Sequence, residues 1–425
     1  MQERPYWLEV SPRPAAVGRA ELPQRTDVAV IGGGYTGISA ARVLAGAGAQ
    51  VTVIERSLLG AGASTRNAGM VLPGFRRGAQ SLVTSLGAVR ARELFDASRA
   101  AVFELEELAT GEAPALPCDY RLCGHLRLAT TPKQYIELQR DARVFDKVMR
   151  HETELVPGDR LEPELGASIP YAGALLDPLA GSLDPAKLFW GLVAAAQRAR
   201  VTLVEGVDVL SLRREADRFL LRTSHGTLGA KDVVVATGGY GDPVVPALRR
   251  RVYFHSSTTI TTAPLGHHVA RMVMQRDRVV TDMRECMTWF RLTPDTRMIF
   301  GAEAPFRSST RTERLRTLSE AMCAHFPRLL GTDIDYQWGG SVAMTRDRLP
   351  HAGERDGVYY ALGCNGHGIP LALYLGARVA ASVIGKDDLE PFESLKFSAL
   401  PRWYLPVLGT VQRLRDRVKS KRRER

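Results

Sequence analysis

The fold is decided by one stretch, residues 27–55, which reads DVAVIGGGYTGISAARVLAGAGAQVTVIE. The apolar runs Val28–Ile31 and Val51–Ile54 have no polar face, as expected of parallel strands that are buried on both sides. Between them, the glycines and the Ala/Leu-rich residues predict a tight turn and then a helix that ends near Gly46–Gly48. Strand, turn, helix and strand in this order indicate a βαβ unit of a parallel sheet.

The turn of this unit has the G-x-G-x-x-G spacing of a dinucleotide-binding site. Gly32 permits the tight turn, Gly34 lets backbone N–H groups approach a pyrophosphate, and Gly37 lets the helix pack closely on the sheet. The helix N-terminus offers N–H groups and a positive dipole end to the phosphates. Glu55, roughly 20 residues further on, can accept hydrogen bonds from a ribose hydroxyl. A carboxylate here favours a free 2′-hydroxyl over a 2′-phosphate, although Arg56 beside it leaves that choice open.

The composition is that of a globular protein with two core-forming domains. The chain has 425 residues, 45% of them hydrophobic and 24% charged, which is ordinary for this class. The sequence contains no uninterrupted apolar run of membrane-spanning length, and MQERPYWLEV at the start lacks a signal-peptide core, so we predict a cytosolic location. Five cysteines without a C-x-x-C pair fit reduced thiols. His267 and His268 have no Cys or carboxylate at ligand spacing, so no metal site is predicted.

Much of the formal net charge of +11 lies near the C-terminus, where residues 411–425 contain eight Lys/Arg and two Asp/Glu. Two interpretations stay open for this segment. It is either a solvated tail or a basic amphipathic segment that makes weak contact with an anionic membrane surface or a partner. The apolar residues of the second interpretation are Trp403, Tyr404, Leu405, Val407, Leu408 and Leu414. A nucleic-acid role is disfavoured, because no recognised binding module accompanies the charge.

Two later segments repeat the logic of a buried strand that runs into glycines. Residues 231–241 read KDVVVATGGYG, and residues 358–385 give a strand, a turn at Gly363–Gly368 and a helix from Ile369 to Ile384. The loop at 60–74, GAGASTRNAGMVLPG, is rich in small residues. It either follows a cofactor closely or forms a flexible surface connection.

Three glycine-rich cradles indicate FAD, because an NAD(H)-binding protein would need only the first. The first cradle would hold the pyrophosphate and the third the isoalloxazine ring. The helix that begins near Ile369 would direct its positive end at the flavin N1–C2=O edge, where charge builds on reduction.

The remaining pattern predicts helices at 88–108, 133–149, 185–199 (capped by Asp184) and 310–326. Strands are predicted at 120–129, 201–204, 207–213, 219–223, 249–262, 283–292, 298–301 and 358–362, and residues 156–183 are interpreted as a connection. Apolar and polar residues alternate from 249 to 301, which is typical of an antiparallel sheet with one solvated or ligand-facing side.

On these residues the chain resembles the D-amino-acid-oxidase-like FAD-dependent oxidoreductases, and most of all their gamma-glutamylputrescine oxidase-like subgroup. The resemblance runs from Pro5-Tyr6-Trp7 to about Gly385. It rests on five motifs in the same order: DVAVIGGGYTG, GASTRNAG, ATGGYG, WFRLTPDTRMIFG and WGG…TRDRLPHAG…CNGHG. Thr65 and Ala68 depart from the subgroup's usual GASGRNGG.

The resemblance implies an α/β plus antiparallel-β fold. A glutathione-reductase-like FAD-binding Rossmann domain would be interleaved with an antiparallel-sheet substrate domain. The predicted boundaries are an N-terminal arm at 1–25, FAD-binding parts at 26–90, 184–248 and 336–390, substrate parts at 91–183 and 249–335, and a basic tail at 391–425.

The resemblance also implies the chemistry. Hydride would pass from the carbon next to an amine nitrogen to flavin N5, the imine would hydrolyse, and O2 or another acceptor would reoxidise the flavin. The predicted FAD contacts are Gly32, Gly34, Tyr35, Thr36, Gly37, Glu55, Arg56, Ser64, Thr65, Arg66, Asn67, Ala68, Gly69, Val207, Thr237, Gly238, Gly239, Gly340, Gly363, Asn365, Gly366, His367, Gly368 and Ile369. Some sarcosine-oxidase-like relatives attach FAD through a cysteine. Cys286 does not match that spacing, so we predict non-covalent FAD, with Cys364 as a packing residue.

One position narrows the substrate. Glycine and D-amino-acid oxidases of this family have W-x-G-x-R, in which the Arg clamps the substrate carboxylate. Here Trp338-Gly339-Gly340-Ser341 leads to Val342, which cannot bind a carboxylate. We therefore predict that the substrate is an amine, with an acylated polyamine as one option, and not a simple α-amino acid.

The candidate substrate-cavity residues are His255, Trp289 and Arg291, and no catalytic base is assigned. Arg291 could equally pair with Asp295 or Glu303. Two alternatives to an amine oxidase stay open. One is a D-amino-acid or sarcosine-type dehydrogenase that passes electrons to a quinone. The other is an FAD-binding regulatory or assembly protein without turnover.

Overall fold

The computed structural model describes residues 1–15, 17, 20–111, 116–168, 170–240, 244–284, 286–303, 310–386 and 389–399. The predicted amphipathic segment at 403–414 and the rest of the basic tail from 400 onward lie outside the described residues.

The helices fall where apolar residues recur at three- and four-residue spacing. They are α1 (Trp7–Val10), α2 (Tyr35–Gly46), α3 (Ala79–Leu86), α4 (Ala88–Thr110), α5 (Pro132–Val144), α6 (Pro185–Arg198), α7 (Pro246–Arg249), α8 (Gly266–Val273), α9 (Arg311–His325) and α10 (Gly368–Val383). Asp184 caps α6, since its Oδ1 accepts hydrogen bonds from the backbone N–H groups of Ala186 and Lys187. A capping box of Thr310 and Glu313 begins α9.

The strands come in three groups along the chain. The first are β1 (Arg25–Ile31), β2 (Val51–Glu55), β3 (Met70–Val71), β4 (Arg121–Leu122), β5 (His125–Ala129), β6 (Glu154–Pro157), β7 (Gly173–Asp177) and β8 (Gly181–Ser182). The next are β9 (Thr202–Glu205), β10 (Val209–Glu215), β11 (Arg218–Thr223) and β12 (Gly226–Val235). The last are β13 (Val252–Thr262), β14 (Val279–Asp282), β15 (Thr288–Leu292), β16 (Met298–Glu303), β17 (Ile334–Thr345), β18 (His351–Arg355) and β19 (Val358–Leu362).

The first sheet has eight strands and a parallel centre. Its order is β10-β11-β12-β1-β2-β9, and β19 pairs in parallel with the second half of β12 and carries β18 at its other edge. Val28 lies opposite Val51 in the β1–β2 pair, which confirms the predicted βαβ unit. α2 and α10 pack against each other, and a Cβ at Gly376 of α10 would lie 2.3 Å from the Thr36 carbonyl oxygen. The third strand-turn-helix unit is thereby fixed beside the first.

The second sheet also has eight strands, in the order β17-β13-β16-β15-β14-β5-β7-β6. All its pairs are antiparallel except β14–β5, so the predicted antiparallel sheet is confirmed. One face buries Ile260, Phe290 and Phe300 against Met322 and Phe326 at the end of α9. The other face carries polar side chains and is turned towards the first sheet's glycine-rich turns.

Three sequence predictions need correction here. The predicted strand at 120–129 is broken at Gly124, whose φ of +75° suits glycine, and its two halves, β4 and β5, join different sheets. The predicted connection at 156–183 contains β7 and β8, because a short apolar run at 173–177 outweighs the Pro/Gly-rich composition around it. In the predicted strand at 283–292 only β15 is extended, and β14 precedes it.

The predicted domain boundaries stay a prediction, but four of them cut through elements. The boundary between 25 and 26 falls inside β1, and the boundary between 248 and 249 falls inside α7. The boundary between 335 and 336 falls inside β17, which pairs with β13 from Ile334 to Thr345. The boundary between 90 and 91 falls inside α4, whose buried residues belong to the same apolar core as α2 and α10.

Within the described ranges, no helix combines the length and apolar character needed to cross a bilayer. No three His, Cys, Asp or Glu side chains of those ranges are grouped so that they could hold a metal ion. The cytosolic location and the lack of a metal stay predictions.

Candidate active site

A long cavity runs between the two large sheets. Its wall begins at the carboxyl end of β2, crosses the turn after β1, and ends at the turn after β19 and the polar face of the second sheet. The three glycine-rich segments and the small-residue loop at 60–74 all contribute to this wall. The structure therefore brings together segments that are more than 300 residues apart in the sequence.

The first glycine turn lies at the middle of the cavity. Gly32 has a φ of +108°, and a Cβ on it would lie 2.6 Å from the Ala236 carbonyl oxygen. A Cβ on Gly37 would lie 1.9 Å from the Gly32 carbonyl oxygen, so only glycine lets α2 pack this closely. Gly34 forms the N-cap of α2, and Tyr35 and Thr36 begin the helix at the cavity wall. This cradle fits a pyrophosphate at a helix N-terminus.

Glu55 lies at one end of the cavity, where β2 ends. Its carboxylate accepts hydrogen bonds from the backbone N–H groups of Gly33 (2.9 Å) and Ser57 (2.9 Å). Arg56 and Val207 line the cavity beside it, and the Val207 N–H donates to the Glu55 carbonyl at 3.1 Å. An acid fixed in this way is placed for a ribose hydroxyl.

The loop at 60–74 is held from three sides. Ser64 Oγ accepts from the Tyr35 N–H at 3.0 Å, which fixes the loop to the start of α2. Trp7 Nε1 donates to the Asn67 carbonyl at 2.9 Å, and Trp338 Nε1 donates to the Arg66 carbonyl at 2.8 Å. The loop is therefore a fixed part of the cavity wall, to which Ser64, Arg66, Asn67 and Ala68 contribute.

The turn after β19 closes the other end. Asn365 is buried in the left-handed region (φ +54°), and its Oδ1 accepts from the Thr345 N–H at 2.8 Å. The turn residues on the wall are Gly363, Asn365, Gly366, His367, Gly368 and Ile369, with Thr237, Gly238 and Gly239 beside them. Burial lowers the pKa of His367 to about 4, so its ring is neutral at pH 7. The buried Nδ1 of His367 has no hydrogen-bond partner within the described part of the chain, which fits a ligand at this wall.

The polar face of the second sheet forms the last wall. His255, Ser257 and Thr259 of β13, Thr281 of β14 and Trp289 of β15 line it. Burial, opposed in part by Glu303, lowers the pKa of His255, whose ring is therefore also neutral at pH 7. Val342 of β17 lies on the same wall, opposite His255 in the strand register.

Arg291 does not line the cavity, and this prediction was wrong. Trp289 shares its side of β15 and reaches the cavity. Arg291 instead turns into the protein, where its Nη1 donates to the carbonyls of Gly69 (2.7 Å) and Leu183 (3.1 Å). Its guanidinium lies over the Trp7 ring at 5.1 Å, and burial lowers its pKa to about 10. It pairs with neither Asp295 nor Glu303, whose carboxylates pair with Arg297 and Arg76 instead.

Four predicted FAD contacts also lie off the cavity wall. Gly37 acts through packing, as described above. Thr65 is fully buried and its hydroxyl donates to the Gly60 carbonyl. Gly69 faces the Leu183 carbonyl oxygen, which would lie 2.2 Å from a Cβ, and Gly340 lies beside Arg66. Gly37, Thr65 and Gly69 therefore support the wall through packing and hydrogen bonds.

Two charged residues line the cavity although the sequence analysis did not predict them there, namely Arg76 and Glu303. Arg76 lies in the segment between β3 and α3, which has no periodic pattern, and Glu303 ends β16. The sequence offered one signal for Glu303, an acidic residue at the end of a strand with alternating apolar and polar residues, and none for Arg76. Cys364 lines the cavity too, and burial raises its pKa to about 12, so its thiol stays protonated.

The family model described as DAO, FAD dependent oxidoreductase, matches residues 27–382. The chain belongs to this family. It is an FAD-dependent oxidoreductase, so the predicted family, enzyme class and cofactor are confirmed. The glycine cradle, the helix N-terminus and the partnerless nitrogen of His367 fit FAD along this cavity.

Two relatives match this chain over most of its length. The chain is 32% identical to gamma-glutamylputrescine oxidoreductase from Escherichia coli (strain K12), over 91% of this chain and 89% of the relative. It is 27% identical to glycine oxidase from Geobacillus kaustophilus (strain HTA426), over 87% of this chain and 97% of the relative.

Among solved structures, glycine oxidase from Geobacillus kaustophilus superposes with a TM-score of 0.73 at 25% identity, over 88% of this chain and 99% of that one. L-proline dehydrogenase from P. horikoshii superposes with a TM-score of 0.71 at 21% identity, over 87% and 96%. These likenesses confirm the predicted fold class.

Proposed function

We infer that the protein oxidises a C–N bond of an amine and that its substrate is an acylated polyamine of the gamma-glutamylputrescine kind. The single observation that carries this inference is Val342 on the cavity wall, at the position where amino-acid oxidases of the family place an arginine. The likeness to gamma-glutamylputrescine oxidoreductase supports the same substrate class.

The residues of the chain supply position and a suitable electrostatic environment. FAD, when bound, supplies the acceptor for the hydride that the substrate carbon loses. An amine must be neutral to assist hydride loss, because an ammonium has no lone pair. Val342 and Trp289 contribute no charge to their part of the wall, which favours the neutral form of the reacting nitrogen over an ammonium.

The helix that follows His367 serves the cofactor end of the reaction. Gly368–Val383 is long enough to carry a positive dipole end at its N-terminus, and that end lies on the cavity wall. We assign this helix to the stabilisation of negative charge on the bound cofactor.

The test is anaerobic mixing of the purified yellow protein with single compounds while flavin absorbance is followed. Gamma-glutamylputrescine and N-acetylputrescine are expected to bleach the flavin, whereas glycine and D-alanine are not. Bleaching by the amino acids alone would overturn the proposal and favour the dehydrogenase alternative. Oxygen consumption in air would then separate an oxidase from a dehydrogenase.

A further inference from the structure

An ion pair lies in the wall of the substrate end of the cavity. Arg76 Nη1 pairs with Glu303 Oε1, and the two side chains are only 16% and 9% exposed. His255 Nε2 lies 3.6 Å from the other carboxylate oxygen of Glu303. The three groups therefore form one cluster, in which a cation and an anion lie side by side next to a neutral ring.

The ion pair is held firmly by the elements around it. The segment that carries Arg76 is fixed on one side by the Gly74 N–H, which donates to Ser98 Oγ at 2.8 Å. It is fixed on the other side by the Gln80 N–H, which donates to Asp141 Oδ1 at 2.9 Å. Glu303 is the last residue of β16 and lies opposite Ser257 of β13. Both charges are thus positioned before a ligand arrives.

The pair has capacity for a further ligand. The contact with Glu303 uses one of the five N–H donors of the Arg76 guanidinium, and a carboxylate has about four acceptor sites. A ligand with a single charge would give the pair and ligand together a net charge. In a poorly hydrated wall such an uncompensated charge is costly. A zwitterion that lies antiparallel to the pair gives each charge a second partner and adds no net charge.

We propose that Arg76 and Glu303 bind the zwitterionic head of the substrate's acyl group, with the α-carboxylate on Arg76 and the α-ammonium on Glu303. This inference rests on the proposed function. It makes the substrate an amine acylated by the side-chain carboxyl of an amino acid, since only such an amide keeps both α-groups free. A gamma-glutamyl group is of this kind.

The chemistry of the reacting nitrogen decides which end of the substrate meets the pair. A carboxylate beside an amine favours the ammonium form, and the ammonium form cannot assist hydride loss. Glu303 would therefore hinder reaction at a nitrogen that it bound. An α-ammonium at the non-reacting end carries no such penalty, so the pair suits that end.

The experiment uses four amides of putrescine that differ only in the acyl group. Gamma-glutamyl has both α-groups, glutaryl lacks the α-ammonium, 4-aminobutanoyl lacks the α-carboxylate, and acetyl lacks both. For the wild-type holoenzyme, kcat/KM is expected to be highest for gamma-glutamyl, mainly through a lower KM, and each deletion is expected to cost about 10- to 100-fold.

Two variants then assign each group to its partner. R76M is expected to lower kcat/KM about 10- to 100-fold for the gamma-glutamyl and glutaryl amides and to spare the other two. E303Q is expected to do the same for the gamma-glutamyl and 4-aminobutanoyl amides. R76K, which keeps the charge but not the planar fork, is expected to restore part of the loss.

The neighbouring arginine provides a matched control. Arg77 donates to Ser81 Oγ at 3.0 Å and faces a separate surface pocket, so R77M is expected to keep the wild-type ranking of the four amides. Flavin absorbance and melting temperature report whether each variant keeps its fold. If R76M does not fold, R76K and the wild-type ranking of the four amides still decide whether Arg76 binds the α-carboxylate.

Three outcomes would overturn the proposal. Equal losses of R76M on all four amides would mean that Arg76 only supports the fold. Equal wild-type kcat/KM values for the acetyl and gamma-glutamyl amides would mean that no zwitterion is recognised, although amine oxidation would stand. Oxidation of glycine or D-alanine that depends on Arg76 would place the pair at the reacting end. A wild-type flavin that none of the amides bleaches would instead refute the proposed function itself.

Discussion

The two ends of the cavity are built in different ways. The cofactor end is mostly backbone: the glycine turn after β1, the start of α2 and the turn after β19 present main-chain groups. The substrate end is mostly side chains, such as Arg76, Trp289 and Glu303, which come from distant segments. Backbone sites need particular residues at fixed spacing, whereas side-chain sites need only that suitable residues meet in space. The first kind can be read from a sequence, and the second kind needs the fold.

The largest effect is expected from the backbone-built end. Gly37→Ala places a Cβ 1.9 Å from the Gly32 carbonyl oxygen, so α2 must move away from the sheet. We expect a loss of about 3 kcal/mol of unfolding free energy and a preparation with little FAD. Chemical denaturation and the flavin-to-protein absorbance ratio measure both.

Gly46→Ala on the same helix is the control, because a Cβ there meets nothing within 4 Å. It is expected to be neutral or to stabilise by up to about 1 kcal/mol. If Gly37→Ala were equally harmless, the backbone account of the cofactor end would be wrong.

The next largest effect separates the two faces of the second sheet. His325 lies fully buried on the apolar face among Phe290, Phe300 and Phe326. Burial lowers its pKa from 6.5 to about 4. The folded protein therefore favours the neutral ring. The contribution of this preference to the unfolding free energy is full above pH 6.5 and is lost as the pH falls towards 4, by up to about 3 kcal/mol.

His325→Phe is expected to flatten the fall of unfolding free energy between pH 6.5 and 4, as measured by urea denaturation at several pH values. A residual slope is expected from His125 and His367, since burial also lowers their pKa values, to about 3 and about 4. His268→Gln, on the exposed side of α8, should keep the wild-type slope. An unchanged slope in His325→Phe would show that this histidine does not titrate as described.

A smaller effect is expected at the substrate end. Val342→Arg adds a cation opposite His255, where it repels a protonated polyamine and crowds the wall. We expect kcat/KM for gamma-glutamylputrescine to fall about 10- to 30-fold. Val342→Met, which is similar in length but uncharged, should lose much less. Steady-state kinetics on both variants would contradict the charge argument if the two losses were equal.

The smallest effect is expected where the N-terminal arm meets the cofactor end. Trp7→Phe keeps an aromatic ring but removes the Nε1 donor to the Asn67 carbonyl. We expect FAD affinity to fall about fivefold, in line with about 1 kcal/mol for one hydrogen bond. Trp190→Phe removes a similar bond, from Trp190 Nε1 to the Ser11 carbonyl at 3.1 Å, and should leave FAD affinity unchanged. Titration of the apoprotein with FAD would refute the role of Trp7 if both variants behaved alike.

The same contrast explains what the sequence could and could not predict. The βαβ unit and its two companion turns were predictable, because each requires glycine at positions where a Cβ would collide or φ is positive. Trp289 and His255 were predictable in part, because strand alternation indicates a face. Arg291 follows the same alternation as Trp289, but its predicted place in the cavity wall was wrong. Alternation indicates the face of a strand and does not show which backbone carbonyls lie within reach of a long side chain.

Arg76 could not be found in this way. It lies in a segment without periodicity, and its importance comes from its ion pair with Glu303, which is 227 positions further along the chain. Strand β7 was missed for a different reason: its short apolar run lies within Pro/Gly-rich sequence, and the pairing with β5 and β6 on either side becomes visible only in the fold.

Because the segments of the cavity wall are far apart in the sequence, they are also made at different times during translation. The turn at Gly32 leaves the ribosome long before Asn365 and the helix Gly368–Val383 that packs on α2. A nascent chain that has already made its first βαβ unit therefore has only half of a cofactor site. The cavity wall is therefore complete only after the helix that ends at Val383 has been made, which comes late in the synthesis of the chain.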